Sequence, residues 1–239
     1  MNKHKLGRFI SKYYLNGTVN SVILESKSSK LRTRFISGDK SLLGELLMEK
    51  CPIEDATFGV FSTDQLIKLL SVLDEDISTS ITKAGDKSVS LAISDSSSNI
   101  NYMLSDTSII TKAPSMKKIP EFELNIDITP QVIHKFISGK SALAETDNFT
   151  VITDGTNTKL VIGYSSVNTN RVTIPVTTSS ATNIDNITFN ANVFKEVLSA
   201  NKECESATLE ISSEGLSRIT FKIDDYSATY YLVSVADIN

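Results

Sequence analysis

Four short segments of this 239-residue chain repeat one template, and this repeat constrains the fold more than any other feature of the sequence. In each segment a residue suited to capping a helix is followed by an apolar residue four positions later, an apolar pair at positions seven and eight, and then a serine. The capping residues, Asn2, Ser62, Thr129 and Asn190, stand 60, 67 and 61 residues apart. The even spacing predicts a chain built from repeated supersecondary units. The apolar residues and serines of the template are Leu6, Phe9, Ile10 and Ser11; Leu66, Leu69, Leu70 and Ser71; Ile133, Phe136, Ile137 and Ser138; and Phe194, Val197, Leu198 and Ser199.

Each repeated segment is predicted to form a short amphipathic helix. At about 100° per residue, positions four, seven and eight after the cap lie on one side of the helix, and positions two, six and nine lie on the far side. Because so short a helix is marginal alone, we expect its apolar side to pack on a sheet. The far-side positions hold polar groups, namely His4, Arg8 and Ser11; Asp64, Lys68 and Ser71; Gln131, Lys135 and Ser138; and Asn192, Glu196 and Ser199.

Between the helices, apolar and polar residues alternate with a period of two, which is typical of half-buried strands. Each unit therefore reads as strand, helix, strand, strand, strand, and the first unit lacks its leading strand because the sequence begins at the cap. The predicted strands span residues 19–24, 31–35, 57–61, 77–83, 88–94, 100–104, 121–128, 149–153, 159–163, 171–176, 187–189, 208–211, 218–223 and 226–235.

One segment, residues 107–120, has the composition of a linker, with Pro114, Pro120 and the pair Lys117-Lys118. It divides the repeats into two pairs. We therefore predict an α+β fold of two similar domains, residues 1–106 and 121–239, each with antiparallel sheets and two short helices.

This organisation resembles that of DNA polymerase sliding clamps, and most closely the trimeric clamps of T4-like bacteriophages. The stretches that carry the resemblance are Phe58 to Ile77, the linker from Ala113-Pro114 to Ile119-Pro120, and the C-terminal stretch from Ala228 to Val235 that ends in Ala236-Asp237. The segment from Ser37 to Asp55 departs from the phage pattern as a long insertion without an evident role.

The resemblance implies a non-enzymatic processivity factor. Three copies of the two-domain chain would join head to tail through edge strands into a closed ring, with the helices lining the hole. Such a ring would encircle double-stranded DNA without reading its sequence and would tether the replicative DNA polymerase. An ATP-dependent clamp loader, a separate protein, would open it. The expected location is the cytoplasm, that of the bacterial host if the protein is encoded by a phage.

The charge distribution agrees with this placement. The four helical segments (2–14, 62–72, 129–140 and 190–202) hold nine Lys or Arg and two acids, whereas the rest of the chain holds fifteen basic and twenty-six acidic residues. Basic helices in an acidic body would attract duplex phosphates on one surface only. The candidate DNA-facing residues are Lys3, Lys5, Arg8, Lys12, Lys68, Lys135, Lys140, Lys195 and Lys202.

Two further sites follow from the resemblance alone. Clamps receive short peptides of their partners in a hydrophobic pocket near the linker and the last strand, and the candidates here are Ile109, Ile110, Met116, Ile119, Leu232 and Val233. The subunit interface would join the strand near Ile100, Tyr102 and Leu104 to the strand that contains Val172 and Ile174 of the next copy.

The sequence holds few signals of other functions. It has neither GxxxxGK[ST] nor GxGxxG, so we expect no nucleotide cofactor. His4 and His134 are expected to be separate surface residues, Cys51 and Cys204 reduced thiols, and neither pair suggests a metal site. No apolar run approaches the roughly 20 residues of a membrane span, so no membrane partner is expected. Two alternatives remain open: a non-catalytic phage structural or adaptor protein made of duplicated α+β units, and an enzyme domain whose site forms only in an oligomer.

Overall fold

The computed structural model describes residues 1–167, 169–180 and 182–235. The chain divides into two compact units: Met1–Pro114 with Asp224–Ala228 form the first, and Ser115–Ile223 with Thr229–Asn239 form the second. Ala236 and Asp237, at the end of the stretch that resembles phage clamps, lie outside the described residues. Among the described residues, no helix is long and apolar enough to cross a membrane.

The first unit contains two helices and a pair of antiparallel sheets. One sheet has the order β3-β2-β1-β4 and the other the order β5-β6-β7. The elements are α1 (Lys3–Tyr14), β1 (Val22–Lys27), β2 (Lys30–Ile36), β3 (Leu42–Met48), β4 (Ala56–Val60), α2 (Thr63–Leu70), β5 (Ser78–Ala84), β6 (Lys87–Ser94) and β7 (Asn99–Met103).

The second unit repeats this plan. Its sheets have the orders β12-β8-β14-β15-β16 and β11-β10-β9-β13. The elements are β8 (Leu124–Ile128), α3 (Pro130–Ala142), β9 (Asn148–Thr153), β10 (Thr158–Ile162), β11 (Val172–Val176), β12 (Thr178–Ser180), β13 (Ile187–Asn190), α4 (Ala191–Ala200), β14 (Ala207–Ile211), β15 (Leu216–Ile223) and β16 (Tyr226–Val233).

All four predicted helices are present, and three begin at a capping side chain. The side chains of Asn2, Thr129 and Asn190 each accept a hydrogen bond from a backbone N–H in the first turn. Ser62 differs, because its hydroxyl donates to Asp64 Oδ1 and caps no N–H. Asn20 replaces it: its backbone oxygen and its Oδ1 accept from the N–H groups of residues 63 and 64.

The predicted insertion from Ser37 to Asp55 is corrected by the structure. It holds β3, a regular strand that pairs with β2 from Leu31↔Met48 to Ile36↔Leu43. This strand completes the three that follow α1, so the first unit keeps the common plan. It was missed because leucines occupy both of its faces, three of them buried and one half-buried, which removes the alternation on which strand prediction rests. The short β12 was missed as well.

Residues 1–3 take the place of the leading strand that the first unit was expected to lack. They lie antiparallel to residues 75–77, with Lys3 N 2.6 Å from Glu75 O and Ile77 N 2.9 Å from Met1 O.

The helices pack their apolar sides inward as predicted. In the second unit, the rings of Phe136 and Phe149 each contact Phe194 with centroids 4.9 Å apart, so α3, α4 and β9 share one aromatic core.

Candidate nucleic-acid interface

The far side of each helix is the surface that the sequence predicted. Arg8, Lys68 and Lys135 occupy the same position of the template, six residues after the cap. Lys68 and Lys135 are exposed and Arg8 is half-buried. The serines at position nine are exposed on the first three helices and half-buried on α4. The described helices therefore present small polar groups with a cation at the centre, except on α4, where Glu196 takes that position.

Two cations of α1, Lys5 and Arg8, are paired with acids from the turn between β15 and β16. Lys5 Nζ lies 2.9 Å from Asp225 Oδ2, and Arg8 Nη2 lies 3.1 Å from Asp224 Oδ2. Lys50 Nζ lies 2.9 Å from the other oxygen of Asp225. The hydrogen bonds from Lys5 and Lys50 lower the pKa of Asp225 to about 2. Lys5 and Arg8, which were predicted to face DNA, therefore have acidic partners within their own chain.

Two predicted DNA-facing residues are wrong because they are buried. Lys12 is fully buried, with its Nζ 5.6 Å from the centroid of the Tyr226 ring. Lys140 is 4% exposed, and its Nζ donates to the carbonyl oxygens of Leu143 and Ala144 at 3.4 and 2.9 Å. Neither side chain therefore lies at the surface that a DNA duplex could reach. Lys3 is half-buried and donates to the carbonyl oxygen of Leu73.

The other candidate cations lie at the surface. Lys68 is 79% exposed with Asp64 Oδ2 at 3.8 Å, one helical turn away. Such an exposed pair is weak and leaves the ammonium available to an external anion. Lys195 is half-buried beside Glu196, whose carboxylate lies 3.9 Å from its ammonium. Lys135 and Lys202 are exposed. Lys68 and Lys135 are thus the exposed cations at the centre of the helix faces.

The strands predicted for the subunit interface both end their sheets. β7 is the last strand of the order β5-β6-β7, and β11 is the first of the order β11-β10-β9-β13. The side chains of Ile100, Tyr102 and Ile174 are buried within their own units, so a neighbouring copy could contact these residues only through their backbone. Leu104 and Val172 are half-buried. The backbone edges of β7 and β11 remain the groups that another strand could pair with.

Exposed apolar side chains that were not predicted from the sequence lie next to these edge strands. Met103, at the end of β7, is 65% exposed, and Phe61, before α2, is 53% exposed. Tyr102 links these elements, because its hydroxyl donates to Ser62 O and accepts from Ser62 N, each at 3.1 Å. In the second unit, Tyr164 and Val167 are exposed in the connection between β10 and β11. Of these residues, only Met103 could have been predicted from the sequence, because it is an apolar residue on the side of β7 where the alternating pattern otherwise has polar residues.

The candidate pocket for partner peptides keeps four of its six residues at the surface. Ile110 is 4% exposed and Leu232 is 2% exposed, so the prediction of these two as ligand contacts is wrong and both belong to the core. Ile109, Ile119 and Val233 are exposed, at 61%, 41% and 52%. Met116 is half-buried. Ile109 lies in the first unit, whereas the other three surface residues lie in the second.

Within the described ranges 1–167, 169–180 and 182–235, no group of three or more His, Cys, Asp or Glu residues could hold a metal ion. His4 and His134 are exposed and lie in different units. Cys51 and Cys204 are buried free thiols, and burial raises the pKa of Cys51. The acidic pair Asp224-Asp225, which on sequence alone reads as solvated loop carboxylates, instead makes the ion pairs with α1.

Comparison with known proteins places this fold. No family model matches the chain, and no curated protein matches it in sequence. Among solved structures, the chain is similar to the crystal structure of Proliferating Cellular Nuclear Antigen from Entamoeba histolytica, with a TM-score of 0.75 and 14% identity. The match covers 98% of this chain and 96% of that chain. The α+β fold of sliding-clamp type that the sequence predicted is thereby confirmed, and the closer resemblance to phage clamps stays a prediction.

Proposed function

We propose that this chain is a non-enzymatic sliding clamp, which closes into a homotrimeric ring around duplex DNA and holds a replicative DNA polymerase on its template. The observation that carries the proposal is the combination of a clamp-type fold over nearly the whole chain with four helices that each present a polar side, with a cation at its centre on three of them. Neither feature alone would be sufficient, because a fold can host several functions and solvated helices are often basic.

The helix faces support contact with DNA that does not depend on sequence. Lys68, beside Asp64 and Ser71, and Lys135, beside Gln131 and Ser138, each present a single ammonium group on their helix face. Such a group can reach a phosphate as a point charge but lacks the planar fork of the bidentate contacts that read a base. The isolated charges are suited to attracting the backbone without fixing the position of the protein along it. Retention on DNA would then come from ring closure, and the contacts would serve to centre the duplex.

Ring closure is supported by the two edge strands. β7 and β11 each end a sheet, so pairing β7 of one copy with β11 of the next would give every copy one neighbour on each side. The exposed Met103 and Phe61 lie beside one of these edges, and Tyr164 and Val167 lie beside the other. Burial of these side chains between copies would stabilise the contact that strand pairing begins.

The partners follow from the same proposal. The sequence contains no phosphate-binding loop, so opening the ring would require an ATP-dependent clamp loader. The exposed Ile109, Ile119 and Val233, with the half-buried Met116, are the proposed contacts for peptides of the polymerase and the loader. The proposed site of action is the compartment in which the DNA is replicated, the bacterial cytoplasm for a phage protein.

The first experiment is light scattering coupled to size exclusion, at micromolar and then nanomolar protein. A mass of three chains at the higher concentration is the expected result. A monomer at every concentration would exclude topological linkage and would favour the adaptor protein instead.

The second experiment separates encirclement from simple binding. Protein loaded on nicked circular DNA should stay bound, and cutting the circle should release it unless the ends are blocked.

The variant with Lys68→Glu and Lys135→Glu should bind DNA more weakly, with a smaller salt dependence. A variant with Lys27→Glu and Lys222→Glu is the matched control, because it reverses two exposed charges on strands. Equal losses in the two variants would contradict the assignment of the helix faces.

A further inference from the structure

The turn between β15 and β16 places two carboxylates against α1, and the two have different surroundings. Both Asp224 and Asp225 belong to the first unit, as does α1. The side chain of Asp225 is 28% exposed, whereas that of Asp224 is 69% exposed. This difference separates a structural carboxylate from one that an external ion can replace.

Asp225 is anchored on all sides. Its Oδ2 and Oδ1 accept from Lys5 and Lys50, each at 2.9 Å, and its carbonyl oxygen accepts from Glu49 N at 2.8 Å. Lys5 Nζ also donates to the carbonyl oxygens of Glu49 and Lys50, at 3.2 and 3.3 Å. The adjacent Tyr226 donates from its hydroxyl to Lys5 O at 2.7 Å. Together these contacts hold the turn against α1.

Asp224 projects from this anchored turn toward Arg8. Its Oδ2 lies 3.1 Å from Arg8 Nη2, and the Arg8 guanidinium stacks over the ring of Tyr226 with Cζ 4.9 Å from the ring centroid. The backbone of Asp224 has a φ of 50°, a left-handed conformation that Asp and Asn adopt more readily than other residues with a side chain. Arg8 occupies the template position that Lys68 and Lys135 hold on α2 and α3.

We infer that Asp224 is a built-in competitor for Arg8: its carboxylate takes the place that a phosphate of the DNA backbone would take, and DNA must displace it to contact this position of the helix face. The inference rests on the proposed function, because it concerns the same surface. Exposed ion pairs between a carboxylate and a guanidinium are weak and are screened by salt. A phosphate can therefore replace Asp224. The need to displace this carboxylate lowers the affinity of the ring for DNA but does not prevent the contact between DNA and Arg8.

The inference explains an asymmetry between the helices. Lys68 and Lys135 are exposed at the centre of their faces, whereas Arg8 is partly covered and already paired with an acid. The ion pairs of Asp225 with Lys5 and Lys50 hold the turn that places Asp224 beside Arg8. Asp224 thus weakens the contact between α1 and DNA in every subunit, and a weaker contact is suited to a ring that must move along its template.

The test is a double-mutant cycle of Asp224→Asn and Arg8→Gln. Asparagine tolerates the left-handed backbone, so the turn should keep its shape while the carboxylate charge is lost. Binding to a short linear duplex, which needs no ring loading, should strengthen several-fold in Asp224→Asn. The gain should be largest at low salt and shrink as the salt concentration rises, because salt screens the competing ion pair of the unmodified protein.

The decisive result is the behaviour in the Arg8→Gln background, where Asp224→Asn should have no effect on affinity. An equal gain with and without Arg8 would show a general charge effect and overturn the inference, as would no gain from Asp224→Asn. Elution from immobilised heparin gives a second readout that does not depend on the clamp function. An Arg8-dependent shift on heparin with no duplex binding by any variant would refute the proposed function and retain the competition for anions.

Discussion

The ammonium of Lys140 lies 2.9 Å from the carbonyl oxygen of Ala144, just beyond the end of α3. It also donates to Leu143 O, which accepts from Thr146 N as well, so both of its acceptors are carbonyl groups just after the last residue of the helix. A lysine that the charge pattern assigned to DNA is therefore part of a helix terminus. Its neighbour Lys135 on the same helix is exposed, and the pair allows the two roles to be separated.

Lys140→Met should lower the free energy of unfolding by about 1–3 kcal/mol, because Ala144 O loses a charged donor in a partly buried position, while Leu143 O keeps Thr146 N as a donor. Lys135→Met should change it by less than about 0.5 kcal/mol, as expected for an exposed residue, and should weaken DNA binding instead. Urea titration and the salt dependence of duplex binding measure the two effects. Weaker DNA binding by Lys140→Met at unchanged stability would contradict this assignment.

Gly44→Ala should destabilise the first unit, because Gly44 faces Phe35 across the β2–β3 ladder and a Cβ there would overlap the phenylalanine ring. Phe35 is 1% exposed and has no space into which to move, so the cost should be about 1–3 kcal/mol. Gly7→Ala is the control. It lies on the exposed side of α1 with no atom within 4 Å of the added Cβ and should stabilise the protein by about 0.5–1 kcal/mol. Thermal unfolding of both variants tests this, and equal effects would argue against the close contact.

The stability of the protein should fall as the pH rises above about 10, the usual pKa of tyrosine in an unfolded chain. Burial raises the pKa of Tyr13, whose hydroxyl lies 3.4 Å from Thr63 Oγ1, well above that value. The folded state keeps its proton when the unfolded state loses it, so the raised pKa stabilises the fold below about pH 10 and this contribution is lost at higher pH.

Tyr13→Phe should therefore reduce the loss of stability above about pH 10. Burial raises the pKa of Tyr230 in the same way, so part of the alkaline effect should remain until Tyr230→Phe is added. Urea midpoints at a series of pH values measure the slope. An alkaline slope that is unchanged in the double variant would show that other groups cause it.

Met103→Asp should leave the unfolding temperature of the separate chain nearly unchanged, since this side chain is 65% exposed, and should shift the ring toward monomer. A charge beside the free edge of β7 would be buried without a partner if the proposed strand pairing formed. Ser80→Asp, on the exposed face of β5 at the opposite edge of the same sheet, is the matched control and should keep the trimer. Sedimentation at several concentrations distinguishes them, and dissociation of both variants would indicate a different interface.

The sequence predicted those features of the structure that depend on residues close together in the chain. The polar far sides of the helices and three of the four caps follow from spacing along the chain, and the structure confirms them. The helical periodicity also indicates that Lys140 does not face DNA. It lies eleven positions after Thr129, and at about 100° per residue this places it among the apolar positions and not on the far side. Counting the charges in each segment, without their angular positions around the helix axis, does not show that Lys140 lies on the apolar side.

Local periodicity encodes the capped amphipathic helices, most of the strands and their repetition, so these follow from the sequence itself, and the clamp-type fold followed from the resemblance that this organisation has to sliding clamps. Only the tertiary structure decided which charges remain available and which strands end the sheets. Arg8 and Asp224 are 216 residues apart in the chain and meet because the last hairpin returns to α1. Contacts over such distances depend on the packing of the whole unit, and no local pattern of residues records them.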